Sequence, residues 1–190
     1  MKLGSSCRSV QRASRARHAL ALALLAIGVG SACSSAPQPA PRVAAAATPP
    51  LSFSFTTPDG TVVDAASLRG RPTLVYFITT YDVASQLASG IVADLVRSFT
   101  PRANALAVVL EDPQYEELLP AYRETLALPF PIAMADLATR NGDSAFGVVE
   151  GVPTFFVLDR AGRQVFRRDG PASPDELREA LRRAAGPSPR

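Results

Sequence analysis

Along residues 51–185 the apolar and polar positions change period several times. Leu51-Ser52-Phe53-Ser54-Phe55 alternates strictly, the period of a half-buried strand. Pro58-Asp59-Gly60 supplies a turn, and Thr61-Val62-Val63 can pair back as a hairpin. Ser67 to Pro72 reads as a short connector. Thr73–Ile78 is a continuous apolar run of strand length, suited to a central strand buried on both faces. Between Val83 and Phe99, Leu87, Ile91 and Leu95 recur at helical spacing, with Val92, Val96 and Phe99 beside them. Ala105–Leu110 predicts a second buried strand. Asp112-Pro113 then offers a cap and a first-turn proline for another helix, which Pro120 should kink near Leu119. Phe130–Ala133 predicts a short strand and Thr154–Leu158 a long one. Asp159-Arg160-Ala161-Gly162 turns the latter into Gln164–Arg168. Ser173-Pro174-Asp175-Glu176 is a capping box, opening a last helix that stops at Gly186. Strands alternating with helices, then a hairpin and a terminal helix, predict an α/β fold. Its central mixed sheet carries helices on both faces, and a β-hairpin precedes it.

The residues before Leu51 follow no such pattern. Lys2, Arg8, Arg12, Arg15 and Arg17 precede Ala19–Ala32, a run of 14 small or apolar residues. A membrane-spanning helix needs roughly 20, so residues 1–32 fit a signal peptide better. Gly30-Ser31-Ala32-Cys33 resembles the lipid-attachment box of bacterial lipoproteins, with Gly30 where Leu is usual. The resemblance implies that Cys33 is acylated and anchors the chain to a membrane. Ordinary cleavage after Ala32, leaving Cys33 unmodified, is the alternative. Ser34, rather than Asp, after Cys33 resembles outer-membrane sorting in some bacteria. Residues 34–50 are almost entirely Ser, Ala and Pro, with nothing to drive a core, and read as a partly extended tether. The expected organisation is a signal peptide (1–32), an attachment Cys and tether (33–50), a folded domain (51–186) and a tail (187–190). That places the domain in the bacterial cell envelope, held by a lipid.

Charge changes across the same boundary. The whole chain carries +3 and a pI near 9.2. Beyond residue 32 there are 15 Arg against 17 Asp and Glu, a net −2. The basic pI thus belongs to the N-terminus and is no argument for nucleic-acid binding. The only His is His18 and the only Lys is Lys2, and Cys33 is the last thiol. The remainder cannot build a Ser-His-Asp or Cys-His pair, a His-ligated metal site, a Lys Schiff base or an internal disulfide. No cofactor-binding motif is present.

Two segments carry a resemblance to a known family. The first runs from Phe55-Thr56-Thr57-Pro58-Asp59-Gly60-Thr61-Val62 through Leu68-Arg69-Gly70-Arg71-Pro72 to Thr73-Leu74-Val75-Tyr76-Phe77. The second is Gly151-Val152-Pro153-Thr154-Phe155-Phe156-Val157-Leu158-Asp159-Arg160-Ala161-Gly162-Arg163. In order and spacing they resemble the TlpA-like thioredoxin-fold (redoxin) proteins, most of which exchange thiols and disulfides. The resemblance implies a thioredoxin-like fold and a cis Val152-Pro153 bond facing the start of the first main helix. It also implies Trp-Cys-x-x-Cys at that helix start. Here the strand continues Ile78-Thr79-Thr80-Tyr81-Asp82-Val83-Ala84-Ser85. Tyr81 falls on the Trp, Asp82 on the nucleophilic Cys and Ser85 on the resolving Cys, so the site is degenerate. Asp82 suits a helix N-cap. Ser85 has no base to activate it.

The expected function is therefore a membrane-tethered, non-redox binding or chaperone-like module without a catalytic residue. An extended peptide or envelope protein would dock at Tyr81, Asp82, Val152 and Pro153 by strand addition. The alternative by family resemblance is a thiol-disulfide oxidoreductase or peroxiredoxin-like antioxidant protein. A copper carrier on this fold would need Cys and His ligands that are missing. Glu111, Asp112, Glu116 and Glu117 read as acids at a helix start, explained by its dipole. Arg140-Asn141-Gly142-Asp143 reads as a turn.

Overall fold

The computed structural model describes residues 48–186. The expected signal peptide, Cys33 and most of the expected tether lie outside the described residues, as does the expected tail. Two short strands, β1 (Ser54–Thr56) and β2 (Val62–Asp64), pair antiparallel as the expected hairpin. Gly60, at φ +82°, occupies the left-handed position that its turn requires.

The main sheet has five strands in the order β5-β4-β3-β6-β7. They are β3 (Thr73–Ile78), β4 (Asn104–Val109), β5 (Ile132–Met134), β6 (Thr154–Leu158) and β7 (Gln164–Asp169). β3, β4 and β5 run parallel, β6 is antiparallel to β3, and β7 is antiparallel to β6. Every residue of β3 and β6 is buried, which explains why both read as uninterrupted apolar runs. β7 is an edge strand, mostly exposed and Arg-rich.

Among the described residues there are four α-helices, in chain order α1 (Val83–Ser98), α2 (Leu119–Thr125), α3 (Leu137–Arg140) and α4 (Pro174–Ala185). A 3-10 helix, Pro113–Leu118, runs directly into α2 at the point where Pro120 was expected to bend the chain. α1, α2 and α4 cover one face of the sheet through Val92, Leu95, Leu119, Leu177 and Leu181. The other face is closed by the hairpin and by residues 135–149, which include the one-turn α3. There Phe55, Phe77, Phe146 and Phe156 form an aromatic cluster with Phe53 at its margin. Helices thus flank both faces, though unequally. α3 was not expected from the sequence; it ends at Arg140, the expected turn follows at Asn141 and Gly142, and Asp136 caps the helix by accepting the Thr139 N–H at 2.8 Å.

α4 has the cap expected for it, with Ser173 accepting the Glu176 N–H and Gly186 at φ +66° ending it. α1 departs from expectation. Leu87 is 66% exposed, and the helix packs through Ser85, Ala88, Ser89, Val92, Ala93 and Leu95. Small residues at 85, 88 and 89 let its first turns sit close against the sheet.

Candidate functional site

Strand register fixes where the sequence-predicted residues meet. Thr154 pairs with Phe77, so Pro153 stands beside the C-terminal end of β3, where residues 79–82 lead into α1. The Val152-Pro153 bond is cis, as the resemblance implied. Pro153 is buried, and its carbonyl accepts the Gly170 N–H at 2.8 Å. Val152 is half-buried, and among the described residues its N–H and C=O have no backbone partner. Tyr81 is 76% exposed at the mouth of this region, so it lines the surface rather than packing on the core.

Asp82 caps α1. Its Oδ2 accepts the Ser85 N–H at 2.8 Å, and the same hydrogen bonding holds its carboxyl below the usual carboxylate range. Ser85 is fully buried. Its Oγ accepts the Thr79 N–H at 3.3 Å, and its carbonyl accepts the Ser89 hydroxyl at 2.9 Å. The Asp82 and Ser85 side chains are thus both engaged with backbone amides. A carboxylate and a buried alcohol can hold such amides, but they cannot form or break a sulfur–sulfur bond.

The loop between β3 and α1 is pinned from two further directions. The Gln86 side-chain amide donates to the Thr80 carbonyl at 2.9 Å. The Thr80 N–H donates to the carboxylate of Glu111, a residue only 9% exposed at the end of β4. Glu111 is therefore not simply one of the acids at a helix start. It is the acceptor that locks the candidate site's loop, and the Asp112-Pro113 cap immediately after it disguised it. The signal that could have found it is its place directly after a buried strand parallel to β3.

Beneath the loop the hydroxyls of Tyr76, Ser89 and Tyr122 form a chain, with Ser89 3.2 Å from Tyr76 and 3.3 Å from Tyr122. Burial raises the pKa of both phenols. The Thr79 hydroxyl is buried and makes no hydrogen bond. Among the described residues no group of three or more His, Cys, Asp or Glu side chains is arranged to hold a metal, and no helix is long and apolar enough to cross a membrane. Cys33 lies outside the described residues.

No protein-family model matches the chain, and no curated protein matches it. Solved structures do. A thioredoxin-family thiol:disulfide interchange protein from Chlorobium tepidum is 28% identical, covering 75% of this chain and 99% of its own, with a TM-score of 0.61. A secreted Mycobacterium tuberculosis disulfide oxidoreductase homologous to Escherichia coli DsbE is 17% identical over 69% of this chain and 95% of its own, at TM-score 0.58. The exposed lipoprotein thioredoxin Etrx1 of Streptococcus pneumoniae is 14% identical over 70% and 98%, at TM-score 0.57. With the cis proline, the parallel β3-α1-β4 unit and the β6-β7 hairpin in place, the chain has a TlpA-like thioredoxin fold, the architecture of the thiol:disulfide interchange proteins.

Proposed function

We propose that this protein is a non-redox binding or chaperone-like module of the bacterial cell envelope, built on the scaffold of a disulfide-exchange protein. The observation that carries the reading is the pairing of Asp82 with Ser85 at the start of α1. An exchange protein needs a thiolate there, stabilised by the helix N-terminus. Asp82 keeps the negative charge that this position favours and gives up the nucleophile. No Cys, His or Lys follows Cys33 to replace it.

What remains suits an extended polypeptide. Val152 offers a backbone N–H and C=O without backbone partners, Tyr81 offers an exposed aromatic face, and Asp82 offers a carboxylate for a basic side chain. Main-chain pairing beside Pro153 would supply affinity, and the two side chains selectivity. Acylation at Cys33 would keep the module at a membrane. The secreted and lipoprotein structural neighbours support an exported location.

The test is a titration of the isotopically labelled protein with a reduced, carboxymethylated unfolded polypeptide, followed by amide NMR shifts. Shifts at residues 80–82 and 151–154, weakened several-fold by Tyr81→Ala, are expected. Unchanged shifts there, or shifts confined to another face, contradict the reading. The alternative, a thiol-disulfide oxidoreductase or peroxiredoxin-like protein, is favoured by the names of the structural neighbours. It would have to work with Cys33 as its last thiol.

A further inference from the structure

The two ends of the sheet differ in charge. At the end that holds Asp82 and Pro153, the connections 79–82, 110–118 and 135–153 carry eight acids against Arg140 alone. At the opposite end, the connections 65–72, 99–103 and 159–163 carry Arg69, Arg71, Arg102, Arg160 and Arg163 against Asp159 alone. Register brings these arginines to one pole. Thr73 pairs with both Asn104 and Leu158, so the residues before β3, before β4 and after β6 converge there. Direct contacts close the group. The Gly70 N–H donates to the Arg160 carbonyl at 2.8 Å, and a methyl on Gly162 would lie 3.9 Å from Arg69 Nε.

Little of this positive charge is neutralised. Among the described residues Arg69, Arg71, Arg102 and Arg160 form no salt bridge, and the Arg163–Asp159 contact is long, at 3.8 Å. Asp159 spends one carboxylate oxygen on the turn amides of Ala161 and Arg163. Arg69, Arg71 and Arg102 are exposed. The Nε atoms of Arg160 and Arg163 are buried without a hydrogen-bond partner.

The covalent chain enters the domain at this same pole. The Leu51 N–H donates to the Gly162 carbonyl at 2.8 Å, and Pro50 would lie 3.8 Å from a methyl on Gly162. Whatever holds residue 33 is therefore joined to the arginine end. We infer that the Arg69/Arg71/Arg102/Arg160/Arg163 pole is a docking face for an anionic phospholipid surface, turning the Asp82–Pro153 end away from the bilayer. The inference rests on the reading of Cys33 as the membrane attachment point. Attachment brings the pole within reach, and complementary charge selects the orientation. The opposite, acidic pole would be repelled by the same surface. The attraction acts within a Debye length, about 10 Å at 0.1 M salt.

The test is flotation of the full chain carrying Cys33→Ser, so that no acyl chain masks a weaker contact. The vesicles are neutral phosphatidylcholine or a mixture with about 30% phosphatidylglycerol, as a probe of surface charge. The N-terminal segment contributes equally to every variant. Arg69→Gln/Arg71→Gln should lower partitioning onto the anionic vesicles by roughly tenfold or more and leave neutral vesicles unaffected. Arg140→Gln/Arg168→Gln, an equal charge loss toward the Pro153 end of the sheet, should stay within about twofold, and about 0.5 M salt should erase the difference. Partitioning of the Arg69/Arg71 variant within twofold of its parent, or an equal fall in the Arg140/Arg168 variant, overturns the inference. Mass analysis of the wild-type N-terminal peptide separates the two claims. Acylated Cys33 with no arginine effect sinks the docking face alone. Unmodified Cys33 with the arginine effect intact sinks the anchor alone.

Discussion

The Asp82 carboxylate accepts the Ser85 N–H at 2.8 Å, and the Ser85 hydroxyl in turn accepts the Thr79 N–H at 3.3 Å. These two residues bind the β3–α1 loop to the first turn of the helix. On the proposed reading they stand where thiol-disulfide exchange proteins carry a dithiol, and oxygen acceptors there would keep the architecture without the capacity to cycle between thiol and disulfide.

If the scaffold is otherwise intact, sulfur should restore exchange. Asp82→Cys/Ser85→Cys is expected to reduce insulin disulfides with dithiothreitol as electron source. The thiol at position 82, at a helix N-terminus, should titrate below about 8.5. A folded double variant with no turnover would show that the loop geometry, and not only the sulfur, has diverged.

Ser85 and the neighbouring Thr79 should respond in opposite directions. Ser85→Ala leaves the buried Thr79 N–H without its acceptor and should destabilise the protein by about 1–3 kcal/mol in denaturant unfolding. Thr79→Val removes a buried hydroxyl that has no partner, so its stability should be equal or about 1 kcal/mol higher. A large loss in the valine variant would mean that the hydroxyl has a role.

Stability should form a plateau across neutral pH. The described residues contain no His or Cys, so no side chain with an ordinary pKa between about 5 and 8 is present. Asp59, Asp64, Asp82 and Asp169 are all held below the ordinary 3.8 by hydrogen bonds, chiefly from Thr57, Ser67, Ser85 and Arg167 respectively. A depressed carboxyl stabilises the fold above its unfolded pKa and loses that contribution as pH falls through the folded value. Thermal midpoints should therefore drop below about pH 4. The buried Tyr76 and half-buried Tyr122 phenols are raised, so their contribution is intact below about pH 10 and lost above it. Midpoints measured from pH 3 to 11 check both edges; Asp82→Asn should flatten the acid edge.

In α1 the sequence misplaced one residue. Ile91 and Leu95, with Val92, Val96 and Phe99, pack on the core as expected, but Leu87 is left to solvent. Leu87→Gln should change stability by less than about 0.5 kcal/mol. Leu181→Ala, at a fully buried position on α4, should cost about 2–5 kcal/mol. A costly Leu87→Gln would place that residue in an interface.

The same contrast shows what was legible in the chain. β3 and β6 were plain because strands buried on both faces need unbroken apolar runs. The caps of α1 and α4 were plain because Asp82 and Ser173 precede apolar periodicity. Order and spacing around Gly151-Val152-Pro153-Thr154 carried the fold and the cis Val152-Pro153 bond beside the C-terminal end of β3. α3 was missed because one turn holds too few residues to show a period. Glu111 was misread because its partner, the Thr80 N–H, lies 31 residues away and no local pattern encodes it. The pole of arginines was invisible as well, since its members are scattered through three connections that only the sheet register unites.

The most direct measurement is insulin-disulfide reduction by the wild-type protein with dithiothreitol as electron source. The account predicts a precipitation rate equal to that of dithiothreitol alone at every protein concentration. Acceleration that scales with protein concentration would contradict it.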